Sequence, residues 1–372
     1  EDGTSRDVTR KVRFVPADGS LVTITGDTIR PRADGETSIV ANFHGKAAGS
    51  GLKIQSAETP RPVSFKLDVM PVFMRAGCNT GSCHGAARGQ DGFNLSLFGY
   101  DPDGDHFRIT REWNSRRINL ALPEESMLLE KAVESVPHSG GKLFDEGSEH
   151  YQTLLTWLKD GAKKDAADIA SPTSLDIYPK KAVLEGEGAM QQFIAVATYS
   201  DGSTRDVTPL AVFETNNAPS AAIDPDGLVT AGNRGEAFVM ARFATFTEGA
   251  QVIVIPDGLQ YERPRFPAKN FIDELVAEKL NKLRITPSEI CTDAEFLRRA
   301  TLDITGKLPT EEEFLTFAAD ASPDKRDRLV DELLSRKEFT EVWVMKFAEL
   351  LQMRTNPNNG MSYKATLLYY NW

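Results

Sequence analysis

The chain has 372 residues, of which 54 are acidic and 43 basic, and its net charge of -11 disfavours nucleic acids and anionic membranes as partners. Its three cysteines are too few for a disulfide scaffold, and no apolar run reaches the length of a transmembrane helix. The length predicts about three or four domains, and the lack of a signal peptide is expected of a mature or trimmed chain.

An internal repeat begins the chain. The run Asp-Gly-Thr-Ser-Arg-Asp-Val-Thr at 2–9 recurs in closely similar form at 201–208, and Gly35–Phe43 recurs as Gly235–Phe243. The sequence therefore predicts two copies of one module, with other residues between them.

The second copy has the pattern of an all-β sandwich. Short β-branched strands alternate with turns such as Ser200-Asp201-Gly202 over Leu175 to Pro256. The first copy lacks the residues that precede this turn in the second. We therefore predict a partial β domain over 1–58, a complete one over 172–257, and a chain that is a fragment of a larger protein.

The most informative motif lies between the two copies, at Cys78-Asn79-Thr80-Gly81-Ser82-Cys83-His84. Two thiols followed directly by an imidazole are typical of covalent haem attachment, in which each cysteine forms a thioether and the histidine is the proximal iron ligand. The usual spacing has two residues between the cysteines, whereas this motif has four.

Three other interpretations of these residues stay open on the motif alone. Cys78 and Cys83 are able to form one disulfide or to stay as free thiols. A zinc site needs further ligands, and Cys291 lies far away in the sequence. A redox dithiol normally has two residues between its cysteines and a neighbouring βαβ pattern, which is absent.

Predicted helices flank the motif. Asp68 is expected to cap a short helix whose apolar face carries Val69, Val72 and Phe73, with Pro71 in its first turn. Ser148 opens a second helix, with Leu154 and Leu158 on one face and Gly161 as its C-terminal cap. Two helices around a Cys-Cys-His loop predict an all-α class I-like cytochrome c domain over 62–165.

The chain has five histidines and eight methionines, which are the candidates for the second axial ligand of the haem iron. His138 is our choice, because it stands in a loop before the last helix, between Pro137 and a double glycine that lets the backbone approach a flat cofactor. Met127 is the reserve and His106 the third candidate. Two imidazole ligands predict a lower reduction potential than histidine with methionine.

Several residues between the ligands are candidates for lining the cofactor. Phe93, Leu95 and Leu97 alternate with polar residues as on one face of a strand. The arginine candidates for pairing with haem propionates are Arg88, Arg111, Arg116 and Arg117. Asp101–Asp105 resembles the start of a calcium loop. A loop that starts at Asp101 has Glu112 at its twelfth position but no glycine at its sixth, so a polar turn is predicted.

The chain turns helical after Asn270, and a helical domain is predicted over 265–372. Thr292 with Glu295 and Thr310 with Glu313 are capping-box pairs, and Ser322-Pro323-Asp324 predicts the start of a further helix. Cys291 is interpreted as a buried small hydrophobe. This region has no phosphate loop, nucleophile elbow or metal-ligand spacing.

The order of these motifs resembles the planctomycete-type cytochrome c domain of large exported bacterial proteins. The matching stretches are Cys78–Gly85, Gly92–Pro102, Val136–Gly141 and Trp157–Ala162. The β copies resemble bacterial Ig-like (group 2) domains, and Thr292–Leu308 resembles the start of a planctomycete-specific domain of unknown function. The resemblance implies one covalent haem c on Cys78, Cys83 and His84, and a periplasmic or cell-surface location.

The first functional hypothesis is an electron-transfer module with an unknown redox partner, in which the β domains act as spacers or docking surfaces. The alternative is an interaction or adhesion protein with a structural or sensory haem, whose Ig-like domains bind polysaccharide or protein. An enzyme is the weakest hypothesis, because His138 closes the open iron position that catalysis requires.

Overall fold

The computed structural model describes residues 7–26, 28–59, 61–113, 116–265, 267–353 and 363–371. Most of the repeated turn at 2–9 lies outside the described residues. The chain divides into two compact units, Glu1–Thr286 and Pro287–Trp372. No helix in the described part of the chain is both long enough and apolar enough to cross a bilayer.

The first copy of the repeat forms two small antiparallel sheets. Its strands are β1 (Arg13–Pro16), β2 (Val22–Thr25), β3 (Thr28–Pro31), β4 (Gly35–Phe43) and β5 (Lys46–Ile54). One sheet has the order β1-β4-β5, and the other pairs β2 with β3.

The segment between the copies contains four α-helices: α1 (Met70–Arg75), α2 (Pro102–Thr110), α3 (Met127–Ala132) and α4 (Glu149–Lys159). A π-helical turn, Phe65–Val69, leads into α1, and single 3-10 turns lie at Leu97–Gly99 and Pro123–Glu125. The other described residues of this segment form turns and irregular backbone.

The second copy is a larger β structure. Its ten strands are β6 (Pro172–Tyr178), β7 (Lys181–Glu185), β8 (Met190–Gln192), β9 (Ile194–Tyr199), β10 (Thr204–Asp206), β11 (Val212–Thr215), β12 (Ala221–Ile223), β13 (Leu228–Ala231), β14 (Gly235–Phe243) and β15 (Phe246–Ile255). They form three sheets with the orders β10-β9-β6, β11-β14-β15-β7 and β12-β13-β8. All pairs are antiparallel except β15 with β7.

The two copies share one hairpin register, which confirms the predicted repeat. Gly35 pairs with Ile54 in the β4–β5 hairpin, and Gly235 pairs with Val254 in β14–β15. The inner face of β14 is fully buried in the second copy, for example at Val239, because a second sheet packs against β15 there. The Ig-like assignment of both copies stays a prediction.

The predicted all-α class I-like cytochrome c domain is wrong. Most of the regular secondary structure in the described part of the first 255 residues is β-strand, and the described helices between the two β copies do not enclose a core of their own. Phe65, Val72 and Leu158 instead belong to the same hydrophobic core as Phe193 and Val239 of the second β copy. Short amphipathic helices can bury their apolar stripe against any neighbouring element, so their pattern does not define a separate domain.

Two local predictions in this segment also differ from the structure. Ser64, and not Asp68, caps the first helical turn by accepting a hydrogen bond from the Leu67 amide. Asp68 lies inside the turn and is buried, where it pairs with Arg61 and Arg205. The stretch from Phe93 to Tyr100 forms no strand beyond an isolated bridge at Phe93, because its backbone turns at Phe98 with a φ of 53°.

The remaining helices lie after the second β copy. They are α5 (Phe271–Lys282), α6 (Asp293–Thr305), α7 (Glu311–Ala319), α8 (Lys325–Ser335), α9 (Lys337–Leu350) and α10 (Tyr363–Asn371). Thr292 with Glu295 and Thr310 with Glu313 form both reciprocal bonds of a capping box, as predicted. Leu297 and Leu333 are buried in the second unit, whereas Cys291 is only partly buried.

Candidate functional site

The Cys-Cys-His motif forms a tight loop directly after α1. The Cys78 amide donates to the Phe73 carbonyl of the helix, and the His84 amide donates back to the Cys78 carbonyl over 3.0 Å. Gly85 must be glycine, because a Cβ there would lie 2.1 Å from the Asn79 carbonyl oxygen. The four residues between the cysteines are thus folded into turns, which keep both thiols and the imidazole together.

This loop forms one wall of a cavity of about 600 Å³. The volume lies within the range of about 300–1,000 Å³ that is typical of cofactor sites. All four predicted site residues line it, namely Cys78, Cys83, His84 and His138. The apolar lining is supplied mainly by Phe73, Phe93, Leu95, Leu128, Leu143, Phe144 and Leu154.

His84 and His138 face each other in parallel. Their ring centroids are 6.5 Å apart and their planes differ by 8°. Two metal–imidazole bonds of about 2 Å each, with about 1 Å from each nitrogen to its ring centre, give a spacing of about 6 Å. The observed separation of the ring centres is close to this spacing.

Backbone carbonyls hold both imidazoles through Nδ1. His84 Nδ1 lies 3.0 Å from the Phe93 carbonyl oxygen, and His138 Nδ1 lies 2.9 Å from that of Gly141. Such a bond makes Nδ1 the protonated nitrogen and leaves the Nε2 lone pair for a metal, as in most histidine-ligated sites. Both rings thus have an Nε2 lone pair that is available to a metal.

Burial adjusts the protonation of this site. It lowers the pKa of His84 below its ordinary value, so the imidazole stays neutral and able to ligate, although the bond to Phe93 opposes this effect. Burial, followed by the neighbouring Cys83, raises the pKa of the Cys78 thiol to about 12. Cys78 is consequently a protonated thiol near neutral pH rather than a reactive thiolate.

The disulfide and zinc interpretations of the motif find less support in this geometry, whereas the free-thiol interpretation stays open. Cys78, Cys83 and Cys291 are all free thiols. No group of three or more His, Cys, Asp or Glu side chains in the described ranges is arranged to hold a metal ion. A zinc site would need such a group.

Of the other residues predicted to bind or line the cofactor, some line the cavity and others do not. Met127, Arg116 and Arg117 line the cavity, as do Phe93 and Leu95. His106 does not line it, since its Nε2 contacts the Ala162 carbonyl oxygen at 2.9 Å and its ring packs on Phe65. The remaining candidates that do not line the cavity are Arg88, Arg111 and Leu97.

Asp101–Asp105 has a structural role. Asp101 caps α2 by accepting a hydrogen bond from the Gly104 amide, and Asp105 is fully buried, where it binds Ser96 and pairs with Arg108. A helix start therefore replaces the predicted polar turn. The carboxylates are engaged with protein groups.

Sequence reasoning missed the contribution of α3. Leu128, Lys131 and Ala132 all line the cavity. Their i, i+3, i+4 spacing places them on one helical face, which is the signal that indicates this wall. The Lys131 ammonium also donates to the carbonyl of Pro137, so α3 supports the loop that carries His138.

Comparison with known proteins adds information about one part of the chain. No curated protein matches it. Two solved structures that it resembles are those of the surface layer protein SbsC, domains 1–6, and of the S-layer protein rSbsC(31–844). Each has 6% identity and a TM-score of 0.21, and the match covers 70% and 71% of this chain. The chain spans 22% of the length of either solved chain.

A family model matches the C-terminal part. Residues 271–372 match PSCyt2, described as a protein of unknown function (DUF1549). This match confirms the prediction of a domain of unknown function at the C-terminal side of the β copies. The cytochrome c and Ig-like assignments of the preceding residues stay predictions.

Proposed function

We propose that this protein is an exported c-type cytochrome module that binds one covalent haem c and transfers electrons within a larger multidomain protein. The observation that carries the proposal is the cavity into which one loop brings Cys78, Cys83 and His84, while a second loop brings His138 with its ring parallel to that of His84. The proposal concerns the site and does not depend on a class I cytochrome fold.

Each residue has a distinct role. The thiols of Cys78 and Cys83 each add across one vinyl group, forming a C–S bond while the thiol hydrogen goes to the other vinyl carbon, so no oxidant is consumed. His84 and His138 would each hold the iron through one imidazole nitrogen. When bound, the haem provides a one-electron couple.

The surroundings of the site suit electron transfer better than catalysis. With His84 and His138 both bound, the iron would have no open coordination position for a substrate. The apolar side chains that line much of the cavity would lower the dielectric constant around a bound haem. The redox partner is a one-electron carrier of unknown identity, and the acidic chain favours a partner with a basic surface.

Covalent attachment is the first test. The chain should be expressed in a host competent in cytochrome maturation and analysed by alkaline pyridine haemochrome spectrum and intact mass. We expect one haem per chain in the wild type and none in Cys78→Ala/Cys83→Ala, because both thioether anchors are lost. Cys291→Ala, which removes the third thiol outside the cavity, is the control and should keep its haem. A colourless wild-type protein would refute the proposal.

The spectrum also separates electron transfer from the sensory alternative. A low-spin, six-coordinate haem that does not react with carbon monoxide supports electron transfer. Rapid carbon monoxide binding would instead indicate an open position, as a ligand sensor requires.

A further inference from the structure

Arg117 is the one arginine that is both buried and part of the cavity wall among the described residues. Its residue exposure is 8%, whereas Arg116, which also lines the cavity, is exposed. A guanidinium stays charged in proteins, so Arg117 places a permanent positive charge in the cavity wall. Burial of such a charge is costly and requires close partners.

The guanidinium of Arg117 is already hydrogen-bonded to other groups of the protein. Nη1 donates to the carbonyl oxygens of Arg108 at 2.6 Å and Glu112 at 3.2 Å, and Nη2 donates to that of Gly92 at 2.9 Å. The Glu112 carboxylate lies 3.1 Å from Nη2. Arg117 therefore differs from an exposed arginine that pairs with a haem propionate, because such an arginine would have its donors on the solvent side of the cofactor.

Arg117 reaches His84 through Phe93. The guanidinium carbon lies 4.4 Å from the centroid of the Phe93 ring, and the same ring lies 4.6 Å from the His84 ring. The carbonyl of Phe93 is also the acceptor for His84 Nδ1. Arg117 thus fixes the Gly92–Phe93 backbone, and this backbone fixes the orientation of the proximal imidazole.

We propose that Arg117 and its partner Glu112 position His84 and set the reduction potential of the iron, an inference that rests on the haem-binding function proposed above. A positive charge in a cavity wall of low dielectric constant destabilises the oxidised iron, which carries one more positive charge than the reduced iron. Arg117 therefore raises the potential, and Glu112 offsets part of this effect. Arg117 is a positioning residue, since it acts on the iron ligand through Phe93.

The test uses substitutions with opposite expected signs. Arg117→Gln removes the positive charge and leaves Glu112 unbalanced, so the potential should fall by 59 mV or more, which corresponds to a tenfold change in the ratio of oxidised to reduced protein. Glu112→Gln removes the opposing charge and should raise the potential, while the carbonyl bonds of Arg117 are kept. A loss of structural integrity would not shift the potential in opposite directions.

Arg111→Gln is the matched control, because Arg111 is exposed and lies outside the cavity wall. Potentials are measured by spectroelectrochemical titration of the loaded full chain, after the haemochrome assay has shown covalent haem. Unchanged potentials in both cavity variants, with haem and low-spin spectrum intact, would overturn the role of Arg117 and leave the haem proposal standing. If Arg117→Gln does not fold, Glu112→Gln decides, since a fall or no change in its potential contradicts the inference.

Discussion

At the scale of single residues, two features prepare His84 and His138 as a pair. Each ring has Nδ1 bonded to a backbone carbonyl, and within the described residues neither Nε2 has a hydrogen-bond partner. The two rings are parallel, with their centroids 6.5 Å apart. Met127 lines the same cavity and therefore stays the reserve ligand, whereas His106 is held elsewhere by Ala162.

His138→Ala should change the ligation and keep the haem, because the thioether anchors and His84 stay in place. We expect the low-spin spectrum of the oxidised protein to become high-spin, or to show methionine ligation if Met127 replaces the lost imidazole. Magnetic circular dichroism distinguishes these two outcomes. His106→Ala is the control and should retain the wild-type spectrum. An unaltered spectrum of His138→Ala would remove this residue from the site.

At the scale of elements, short turns bring the ligands to the cavity and helices hold those turns. The cysteine loop follows α1, and the loop of His138 lies between α3 and α4, supported by Lys131 and by the amide of Leu143, which donates to the Ala132 carbonyl. Glycine is needed at position 140, because the loop there folds back against the imidazole of His138. A Cβ on Gly140 would lie 2.9 Å from His138 Cε1 and 3.1 Å from its Nε2.

Gly140→Ala should displace the His138 ring with little effect on stability, because a side chain is easier to move than backbone. We expect a mixture of low-spin and high-spin haem in electron paramagnetic resonance spectra, with covalent haem retained. Gly51→Ala is the matched control, since a Cβ at this strand position meets no atom within 4 Å. A fully low-spin Gly140→Ala protein would show that the loop accommodates the methyl group.

At the scale of the molecule, the helical segment that carries the cavity and the second β copy share one hydrophobic core. Phe65, Val72 and Leu158 from the helical segment are in the same core as Phe193 and Val239 of the second β copy. Buried Asp68 adds a polar link, because it pairs with Arg61 beside it and with Arg205 of β10. The helical segment therefore depends on the β structure for its stability.

Phe193→Ala should lower the free energy of unfolding by about 3–5 kcal/mol, the usual loss for a buried aromatic side chain. Because the core is shared, amide hydrogen exchange should accelerate in Met70–Arg75 and Glu149–Lys159 as well as in the strands. Leu297→Ala, in the second unit, is the control and should leave exchange in both helices unchanged. Acceleration confined to the β strands after Phe193→Ala would contradict the shared core.

The sequence by itself determined the features that depend on neighbouring residues. These are the thiol and imidazole motif, the repeat, the capping boxes and the helix that begins after Ser148, since each is encoded by local spacing and hydrogen bonding. The sequence also favoured His138 over His106. Only the tertiary structure decided that Arg117 is bonded to carbonyls and that the helices pack into the core of the β structure. These outcomes depend on long-range packing, because an apolar helical face shows that a partner exists without identifying it.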